Sequence, residues 1–218
     1  MFYMLSGGSM PIAAFPIGPL ETNAYVLYEN QDAVLFDPGG DLRAGLQEVL
    51  DFLTRLKLTP QAVILTHMHF DHVMGVAQLA KSFPGVKILG SKREEGMLRA
   101  TFGANSWGMP PVSAFEYENL APGEHEFGAV ACTVFDTPGH SAGGLSVYVP
   151  KENAVIVGDL LFYRSIGRTD LPGSNHQQLI QSLQQCIYNL PDATIVYPGH
   201  GPETSVGDEK RSNPFVRA

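Results

Sequence analysis

Thr66-His67-Met68-His69-Phe70-Asp71-His72 is the stretch from which the rest of this sequence is best understood. It places three histidines and one aspartate within six consecutive positions. Imidazole nitrogens and carboxylate oxygens together form a ligand set that suits Zn, Fe or Mn. Only 7 of the 218 residues are histidine, so chance seldom brings three of them this close. We therefore predict a metal site here rather than an ordinary polar loop.

The local pattern places this stretch on a turn from a strand to a helix. The apolar run 62–65 precedes it and reads as a buried strand, and a helical pattern follows it. His67 and His69 lie two apart in an extended segment, so their side chains point the same way. Asp71 and His72 enter the first turn of the helix and diverge from that pair. Such a turn can supply ligands to two adjacent metals.

Strands alternate with helices along most of the chain. We predict strands over 11–16, 22–28, 33–36, 62–65, 86–89, 129–135, 144–149, 154–157 and 193–197. We predict helices over 42–56 (capped by Asp41), from the histidine stretch to about 83, over 91–99, and after a cap at Ser174 or Asn175. Residues 100–125 show no periodicity and are predicted to form a long loop, which either covers a site or packs on the surface. The tail, 203–218, is predicted to be short and polar.

The two halves of the chain share an order of elements. A strand, an acid, a helix, a strand and a histidine follow one another from Asp37 to His67 and again from Asp159 to His200. This order favours two related halves, each a sheet backed by helices, in a four-layer α/β sandwich with the site between the sheets. Two unrelated strand–helix–strand units would give the same order.

Three more candidate ligands stand alone at predicted strand ends beside glycine: His140, Asp159 and His200. Strand ends are where α/β folds expose reactive groups. Together with the first stretch they give five histidines and two aspartates, enough for two metals that share one carboxylate. The remaining histidines, His125 and His176, have no such setting and are predicted to be surface or capping residues.

Composition excludes several classes of function. The formal net charge is −8 and no run of Lys or Arg is present, which argues against nucleic acid as a partner. No apolar run reaches the roughly 18 residues of a membrane span. Cys132 and Cys186 lie far apart and are predicted to be reduced thiols, which fits a cytoplasmic protein. The oligomeric state stays open.

We predict a single domain over 1–218, whose first nine residues form a leader. This segment has no basic n-region and is broken by Gly7-Gly8-Ser9, so it does not resemble a signal peptide. We predict that residues 1–9 are a disordered leader.

Four motifs in one order carry a resemblance to a known family. They are His67-x-His69-x-Asp71-His72, Thr137-Pro138-Gly139-His140-Ser141, Gly158-Asp159 and Pro198-Gly199-His200-Gly201. Over nearly the whole chain they resemble the metallo-β-lactamase superfamily. The resemblance implies an α/β fold of the αββα type, with two mixed β-sheets flanked by helices and metals at one edge of the sheets.

The same resemblance implies a role for each matching residue. The first metal would be held by His67, His69 and His140, and the second by Asp71, His72 and His200. Asp159 would bridge both metals and hold the water between them, and Asp71 would also orient that water as the nucleophile. The implied cofactors are two divalent transition metals, with zinc as the first choice and iron or manganese as alternatives.

Within the superfamily the chain most resembles the short form of glyoxalase II, the hydroxyacylglutathione hydrolases, through Asp37-Pro38-Gly39-Gly40 and the loop 165–173. This implies a small-molecule thioester such as S-lactoylglutathione, cleaved to a thiol and a 2-hydroxy acid through a metal-bound hydroxide. Arg168 matches a basic position that contacts glutathione in the family, whereas Asp170 stands where the family has an aromatic residue. Arg168 either binds the substrate or pairs with Asp170 and stiffens the loop.

Two other functions compete with the hydrolase. A persulfide dioxygenase of the same fold would bind a single Fe(II) through His67, His140 and Asp159, a set that leaves positions open for O₂. A non-catalytic binding protein is the third, and it has no need for a full ligand set at open strand ends. Near two metals per chain would favour the hydrolase, and one iron would favour the dioxygenase.

Overall fold

The computed structural model describes residues 3–4, 10–99, 104–105, 108–109 and 111–217. Of the predicted leader, only Tyr3–Met4 belong to this part, where they form strand β1 beside Ala13 and Ala14. The rest of the leader lies outside the described residues. In the predicted loop 100–125, the same holds for residues 100–103, 106 and 110 and for Trp107.

A seven-stranded sheet is formed by the first half of the chain, with its strands in sequence order. After β1 they are β2 (Ile12–Ile17), β3 (Thr22–Glu29), β4 (Asp32–Phe36), β5 (Thr59–Ile64), β6 (Lys87–Gly90) and β7 (Glu118–Asn119). The pairs from β1 to β4 are antiparallel and those from β4 to β7 are parallel. The sheet is therefore mixed, and its parallel strands need crossover connections, most of which are helical.

A six-stranded sheet is formed by the second half. Its strands are β8 (Gly123–Phe127), β9 (Val130–Asp136), β10 (Leu145–Val149), β11 (Ala154–Gly158), β14 (Ile195–Pro198) and β15 (Thr204–Ser205), in the spatial order β15-β14-β11-β10-β9-β8. Only β11 and β14 pair in parallel. A separate hairpin joins β12 (Leu161–Phe162) to β13 (Ser165–Ile166) and lies between β11 and β14 in the chain.

Alternation along the strands explains why the two sheets stack face to face. In β3, Tyr25 and Leu27 enter a core between the sheets, whereas Ala24 and Val26 enter a core on the other face. Successive strand residues point to opposite faces, so a strand that is apolar at every position is buried on both sides. From the second sheet, Val147 and its neighbours complete the core between the sheets.

Helices cover the two outer faces. They are α1 (Gln47–Leu56), α2 (Phe70–Val73), α3 (Val76–Ser82), α4 (Glu95–Arg99), α5 (His176–Ser182) and α6 (Val206–Ser212). Phe52 and Leu79 belong to the outer core of the first sheet, and Leu179 and Val206 to that of the second. The predicted four-layer αββα sandwich is therefore confirmed. In the described part of the chain, no helix is both long and apolar enough to cross a membrane.

Both predicted capping residues accept hydrogen bonds from backbone donors, although Asp41 caps the kinked turn Leu42–Leu46 that precedes α1 and not α1 itself. The side chain of Asp41 accepts from the backbone N–H of Arg43 and Ala44, and that of Asn175 accepts from the N–H of Gln178. Both caps satisfy backbone donors that a helix end leaves unpaired.

Several elements differ from the sequence-based expectation. The helix after the histidine stretch breaks into α2 and α3, and at the break the backbone N–H of Gly75 donates to the carbonyl oxygen of Pro38 at 2.8 Å. Residues 123–127, partly inside the predicted loop, form β8 as a hairpin with β9. The tail is not merely short and polar, because it adds β15 to the sheet and buries Val206 under α6.

Candidate metal centre

The seven predicted ligands meet at one edge of the two sheets. His67 and His69 follow β5, Asp71 and His72 lie in α2, and His140 lies in the loop between β9 and β10. Asp159 and His200 directly follow the parallel strands β11 and β14. Carboxyl ends of parallel strands share an edge of the sheet, so residues distant in the sequence converge there.

One group of ligand atoms consists of His67, His69 and His140, all of them buried. One ring nitrogen from each lies within 4.8 Å of the others. Nδ1 of His69 is 2.9 Å from Nε2 of His140. Three imidazoles converging in this way form a group that could hold a metal ion.

A second group consists of Asp71, His72 and His200, with ligand atoms again within 4.8 Å of one another. Asp159 lies between the two groups. One of its carboxylate oxygens is 3.3 Å from Nε2 of His72, and the other is 3.5 Å from Nε2 of His200 and 3.6 Å from Nε2 of His140. Its position therefore suits a carboxylate that faces two adjacent metal sites.

Hydrogen bonds fix the orientation of three imidazole rings. Nδ1 of His140 lies 2.9 Å from the carbonyl oxygen of Arg168, and Nδ1 of His200 lies 3.1 Å from that of Leu20. A carbonyl oxygen only accepts, so Nδ1 carries a proton in both rings, and Nε2 is the nitrogen that faces the centre. Nδ1 of His72 likewise donates to the carboxylate of Asp37 at 2.9 Å. Ligating histidines are held by such outer partners.

The site also contains buried polar atoms that lack hydrogen-bond partners. They include Nε2 of His67, Nε2 of His72 and Oδ1 of Asp159. The last two approach each other at 3.3 Å without hydrogen-bond geometry. Leaving a buried polar atom unpaired costs roughly 1–3 kcal/mol, and two metal ions, one in each group, would satisfy all three. The residues present therefore fit the metals that the sequence predicts.

Gly199 leaves room for this convergence. A Cβ at this position would collide with the carboxylate of Asp159 and would lie 2.8 Å from Cε1 of His72. The glycine before His200 is thus required by the close approach of two ligand side chains.

The electrostatics favour ligand-ready protonation states at most positions. Burial, and then the imidazole of His72, lowers the pKa of His67 well below its usual value. Burial, and then His140, lowers the pKa of His69 to about 4. Burial acts to raise the pKa of Asp159, but the imidazoles, led by His72, outweigh it, and the net shift is downward. At neutral pH these groups are neutral imidazoles and an ionised carboxylate, the forms that bind metals.

Two histidines are exceptions. Burial acts to lower the pKa of His200, but the hydrogen bond to Asp71 and the carboxylate of Asp159 outweigh burial and raise the pKa. The other exception is His72. Burial acts to lower its pKa, but the surrounding carboxylates of Asp159, Asp71 and Asp37 outweigh burial and raise the pKa well above the usual value. Without a metal, His72 therefore holds a proton that compensates the negative charge of these carboxylates.

Asp37 was not predicted as a site residue. Its carboxylate accepts from the backbone N–H of Thr66 at 2.8 Å and from the Thr66 hydroxyl at 2.6 Å, in addition to its bond with His72. It is 2 % exposed. Its place as the acid that ends a strand, parallel to that of Asp159, was a signal available in the sequence.

Glu94 is a second residue that the sequence did not reveal. It is 1 % exposed, and its carboxylate accepts from the backbone N–H of Met68 at 3.2 Å and from that of Gly143. Met68 lies between His67 and His69, and Gly143 lies three residues after His140. One carboxylate therefore ties together the two loops that carry the first group of ligands.

The metal centre forms the floor of a cavity of about 660 Å³, called here the large cavity. Arg168 lines it, and its Nε and Nη2 donate to the two carboxylate oxygens of Asp170 at 2.7 Å each. This pairing is the alternative that the sequence left open. Arg164 does not belong to the lining, and its guanidinium lies 5.4 Å from the ring centre of Tyr163.

A neighbouring cavity of about 570 Å³, called here the side cavity, lies on the other side of His200. It shares Leu20, His200 and the turn 201–202 with the large cavity and contains the carboxylates of Glu21 and Glu203.

The two remaining histidines lie outside both groups of ligands. Nε2 of His125 is 2.8 Å from the carbonyl oxygen of Ala121, and Nδ1 of His176 is 3.4 Å from the hydroxyl of Thr169. Neither belongs to a cluster with metal-binding geometry in the described part of the chain.

The metallo-beta-lactamase superfamily model matches residues 17–200, which include every residue of the metal centre. The chain therefore belongs to the metallo-beta-lactamase superfamily.

Among curated relatives, the chain is 36% identical to the probable metallo-hydrolase YqgX of Bacillus subtilis (strain 168), over 92% of this chain and 95% of that protein. It is 31% identical to the hydroxyacylglutathione hydrolase GloC of Haemophilus influenzae, over 96% of this chain and 99% of that protein. These relatives support a metal-dependent hydrolase.

Among solved structures, the BLEG-1 B3 metallo-beta-lactamase is 40% identical, with a TM-score of 0.87 over 94% of this chain and 98% of that chain. TTHA1623, solved in a di-iron-bound form, is 38% identical, with a TM-score of 0.82 over 91% of this chain and 96% of that chain. ETHE1 from Myxococcus xanthus is 28% identical, with a TM-score of 0.74 over 98% of this chain and 83% of that chain. The fold is thus shared by proteins with different names.

Proposed function

We propose that this protein is a metal-dependent hydrolase that cleaves thioesters, with S-lactoylglutathione as the substrate predicted from the sequence. The observation that carries the proposal is the position of Asp159 between two groups of ligand atoms at the floor of an open cavity. The likeness to GloC, whose name is that of a hydroxyacylglutathione hydrolase, supports the thioester. Two divalent transition metals are the proposed cofactors, with zinc first and iron or manganese as alternatives.

Two metals at this site would lower the pKa of a bound water and polarise a carbonyl group. His67, His69 and His140 would hold the first metal, and Asp71, His72 and His200 the second, with Asp159 shared. Asp71 is itself oriented by the hydroxyl of Thr22, which donates to its Oδ2 at 3.0 Å.

Asp71 is ready to accept a hydrogen bond at neutral pH. Burial acts to raise its pKa, but the imidazoles of His72 and His200 outweigh burial and lower it. An ionised carboxylate at this position would accept a hydrogen bond from the attacking water and orient the water's lone pair toward the acyl carbon. The departing sulfur leaves as a thiolate, because thiols ionise near neutral pH and need no strong general acid.

A dioxygenase with one Fe(II) is the second candidate, because two histidines and one carboxylate of this centre would suffice to hold the iron. It would use only His67, His140 and Asp159, and His200 would not be a ligand. Five imidazoles and two carboxylates at one centre are more than this reaction needs, and we therefore place the hydrolase first.

The proposal is tested by assaying zinc-loaded and iron-loaded protein against a panel of substrates. The panel contains S-lactoylglutathione, thioesters of uncharged thiols, a β-lactam because of the likeness to BLEG-1, and glutathione persulfide with O₂. We expect thioester hydrolysis to dominate. Oxygen consumption with the persulfide and no thioester hydrolysis would replace the hydrolase by the dioxygenase.

The same proposal places the protein in the cytoplasm. Two free cysteines, Cys132 and Cys186, support a reducing compartment. The proposed partner is the small-molecule thioester alone, without nucleic acid or membrane.

A further inference from the structure

We propose that the large cavity binds an apolar, uncharged group, so that the preferred substrate is a thioester with an apolar body rather than a glutathione thioester. The inference rests on the proposed thioester hydrolysis and specifies which class of thioester the site selects.

The walls of the large cavity are mostly apolar. They include Leu20, Phe70, Met97, Phe162, Ile166 and Leu171. The apolar wall reaches the metal centre, since the ring centre of Phe162 lies 6.2 Å from that of His200. Tyr163 also lines the cavity and is 52% exposed, so its aromatic ring offers apolar surface to a ligand. Such a surface is stabilised when an apolar ligand covers it.

Few basic side chains are available to bind an anionic thiol such as glutathione. Apart from the imidazoles of the metal centre, Arg168 is the one basic side chain among the described residues that line the large cavity. The Nε–Nη2 edge of its guanidinium is occupied by the carboxylate of Asp170, at 2.7 Å for each hydrogen bond. A carboxylate ligand would have to displace Asp170 to use this edge and otherwise meets only the Nη1 side. The positive charge of Arg168 is thus partly compensated by a carboxylate of its own loop.

The side cavity adds negative charge next to the centre. Glu21 and Glu203 lie in its wall, and it opens beside His200. The whole chain carries a net charge of −8. Like charges in contact repel, so the carboxylates of a glutathione moiety are disfavoured on this side as well.

The first test measures binding, independently of turnover. Two thioethers, which resist hydrolysis, serve as probes for titration calorimetry with the zinc-loaded protein: S-benzyl-N-acetylcysteamine, which is apolar and uncharged, and S-methylglutathione, which is anionic. We expect the benzyl thioether to bind at least about tenfold more tightly, since a few methylene groups in an apolar pocket alter affinity by that much. No binding of the benzyl thioether, or tighter binding of S-methylglutathione, would overturn the inference.

Three variants locate the binding surface. Tyr163→Ala should weaken binding of the benzyl thioether several-fold. Phe215→Ala is the matched control, because Phe215 is 58% exposed and lines neither cavity, and it should leave binding unchanged. Arg168→Ala should leave the affinity for S-methylglutathione unchanged. A clear loss of affinity for S-methylglutathione in Arg168→Ala would show that Arg168 binds glutathione, and this result would overturn the inference.

Kinetics with matched thioesters separate this inference from the proposed function. Lactoyl thioesters of glutathione and of N-acetylcysteamine, and a phenylacetyl thioester of N-acetylcysteamine, are compared by kcat/KM. We expect the phenylacetyl thioester to be preferred. Preference for the glutathione thioester would overturn the inference about the apolar substrate but would still support the proposed thioester hydrolysis. Binding of the benzyl probe without hydrolysis of any thioester would overturn the proposed function and leave the apolar site standing.

Discussion

The carboxylate of Asp37 accepts a hydrogen bond from Nδ1 of His72 at 2.9 Å, and both side chains are buried. The second oxygen of Asp37 is held by the backbone of Thr66, next to His67 in the chain. Asp37 thus fixes the ring of one proposed ligand and the backbone that leads to another.

Asp37→Asn should therefore weaken metal binding roughly 10- to 100-fold, as the loss of an outer partner of a ligating histidine does. In one of its two orientations, the asparagine side chain would present its NH₂ group, a donor, to Nδ1 of His72 in place of the carboxylate oxygen that accepts there now. Competition with a chromophoric zinc chelator measures this affinity. Asp32→Asn, at the other end of the same strand, is the matched control, because Asp32 accepts from Gln61 and Ala129 far from the centre. Equal affinities for the two variants would remove Asp37 from the metal centre.

Glu94→Ala should destabilise the fold and loosen the first group of ligands. The buried N–H groups of Met68 and Gly143 would lose their acceptor, at a cost of roughly 1–3 kcal/mol each. Glu95→Ala is the control, since Glu95 is exposed and forms only a surface contact with Lys92. Urea denaturation of the metal-free proteins gives the stability difference. Unchanged stability in Glu94→Ala would show that the carboxylate does not tie the two loops.

Glu209→Ala should alter the wall of the large cavity from a distance. This fully buried carboxylate accepts from the hydroxyl of Thr204, the amide of Asn213 and the backbone of Arg164, and so ties α6 to the hairpin that carries Phe162. Hydrogen bonds to a charged group are worth roughly 1.5–3 kcal/mol, so we expect a loss of stability in that range or above.

The accompanying kinetic effect separates this role from a general loss of stability. KM for thioesters should rise more than kcat falls, since the wall moves and the ligands stay in place. Asp208→Ala, on the exposed side of α6, should change neither parameter. A variant with normal KM and reduced melting temperature would restrict Glu209 to a structural role.

The buried thiol gives a pH-dependent prediction. Burial raises the pKa of Cys132 to about 11, whereas an unfolded thiol ionises near roughly 8.5. The folded state therefore keeps its proton while the unfolded state loses one, and this contribution to stability falls as pH rises between those values. At pH 8, native Cys132 should react with iodoacetamide far more slowly than it does in guanidinium chloride. Labelling at the rate of the denatured chain, located by peptide mass mapping, would contradict the burial of this thiol.

The residues that converge at the candidate metal centre could be selected from the sequence because each carries its own signal. His140, Asp159 and His200 stand beside glycine at strand ends, and strand ends in this fold converge on one edge. Asp37 shares that signal, but its hydrogen bond to His72 spans 35 positions and depends on the parallel pairing of β4 with β5. Only the three-dimensional structure reveals such a contact.

Glu94 and the break at Gly75 show where sequence patterns carry no information. Glu94 stands next to Glu95 in a polar run, and nothing in the sequence separates the buried carboxylate from the exposed one. The helix over residues 70–83 is continuous in its apolar spacing, yet it breaks where the backbone N–H of Gly75 donates to the carbonyl oxygen of Pro38. Both features follow from tertiary contacts.

Metal content tests the central claim most directly. Wild-type protein, stripped and reloaded with zinc, should bind close to two metals per chain in mass spectrometry of the desalted protein and should hydrolyse thioesters. Asp159→Ala should lose at least one metal and its activity, and His200→Ala should retain only the first metal and be inactive. A wild-type protein that holds a single iron, together with a His200→Ala variant that keeps this iron and remains active, would contradict the two-metal hydrolase.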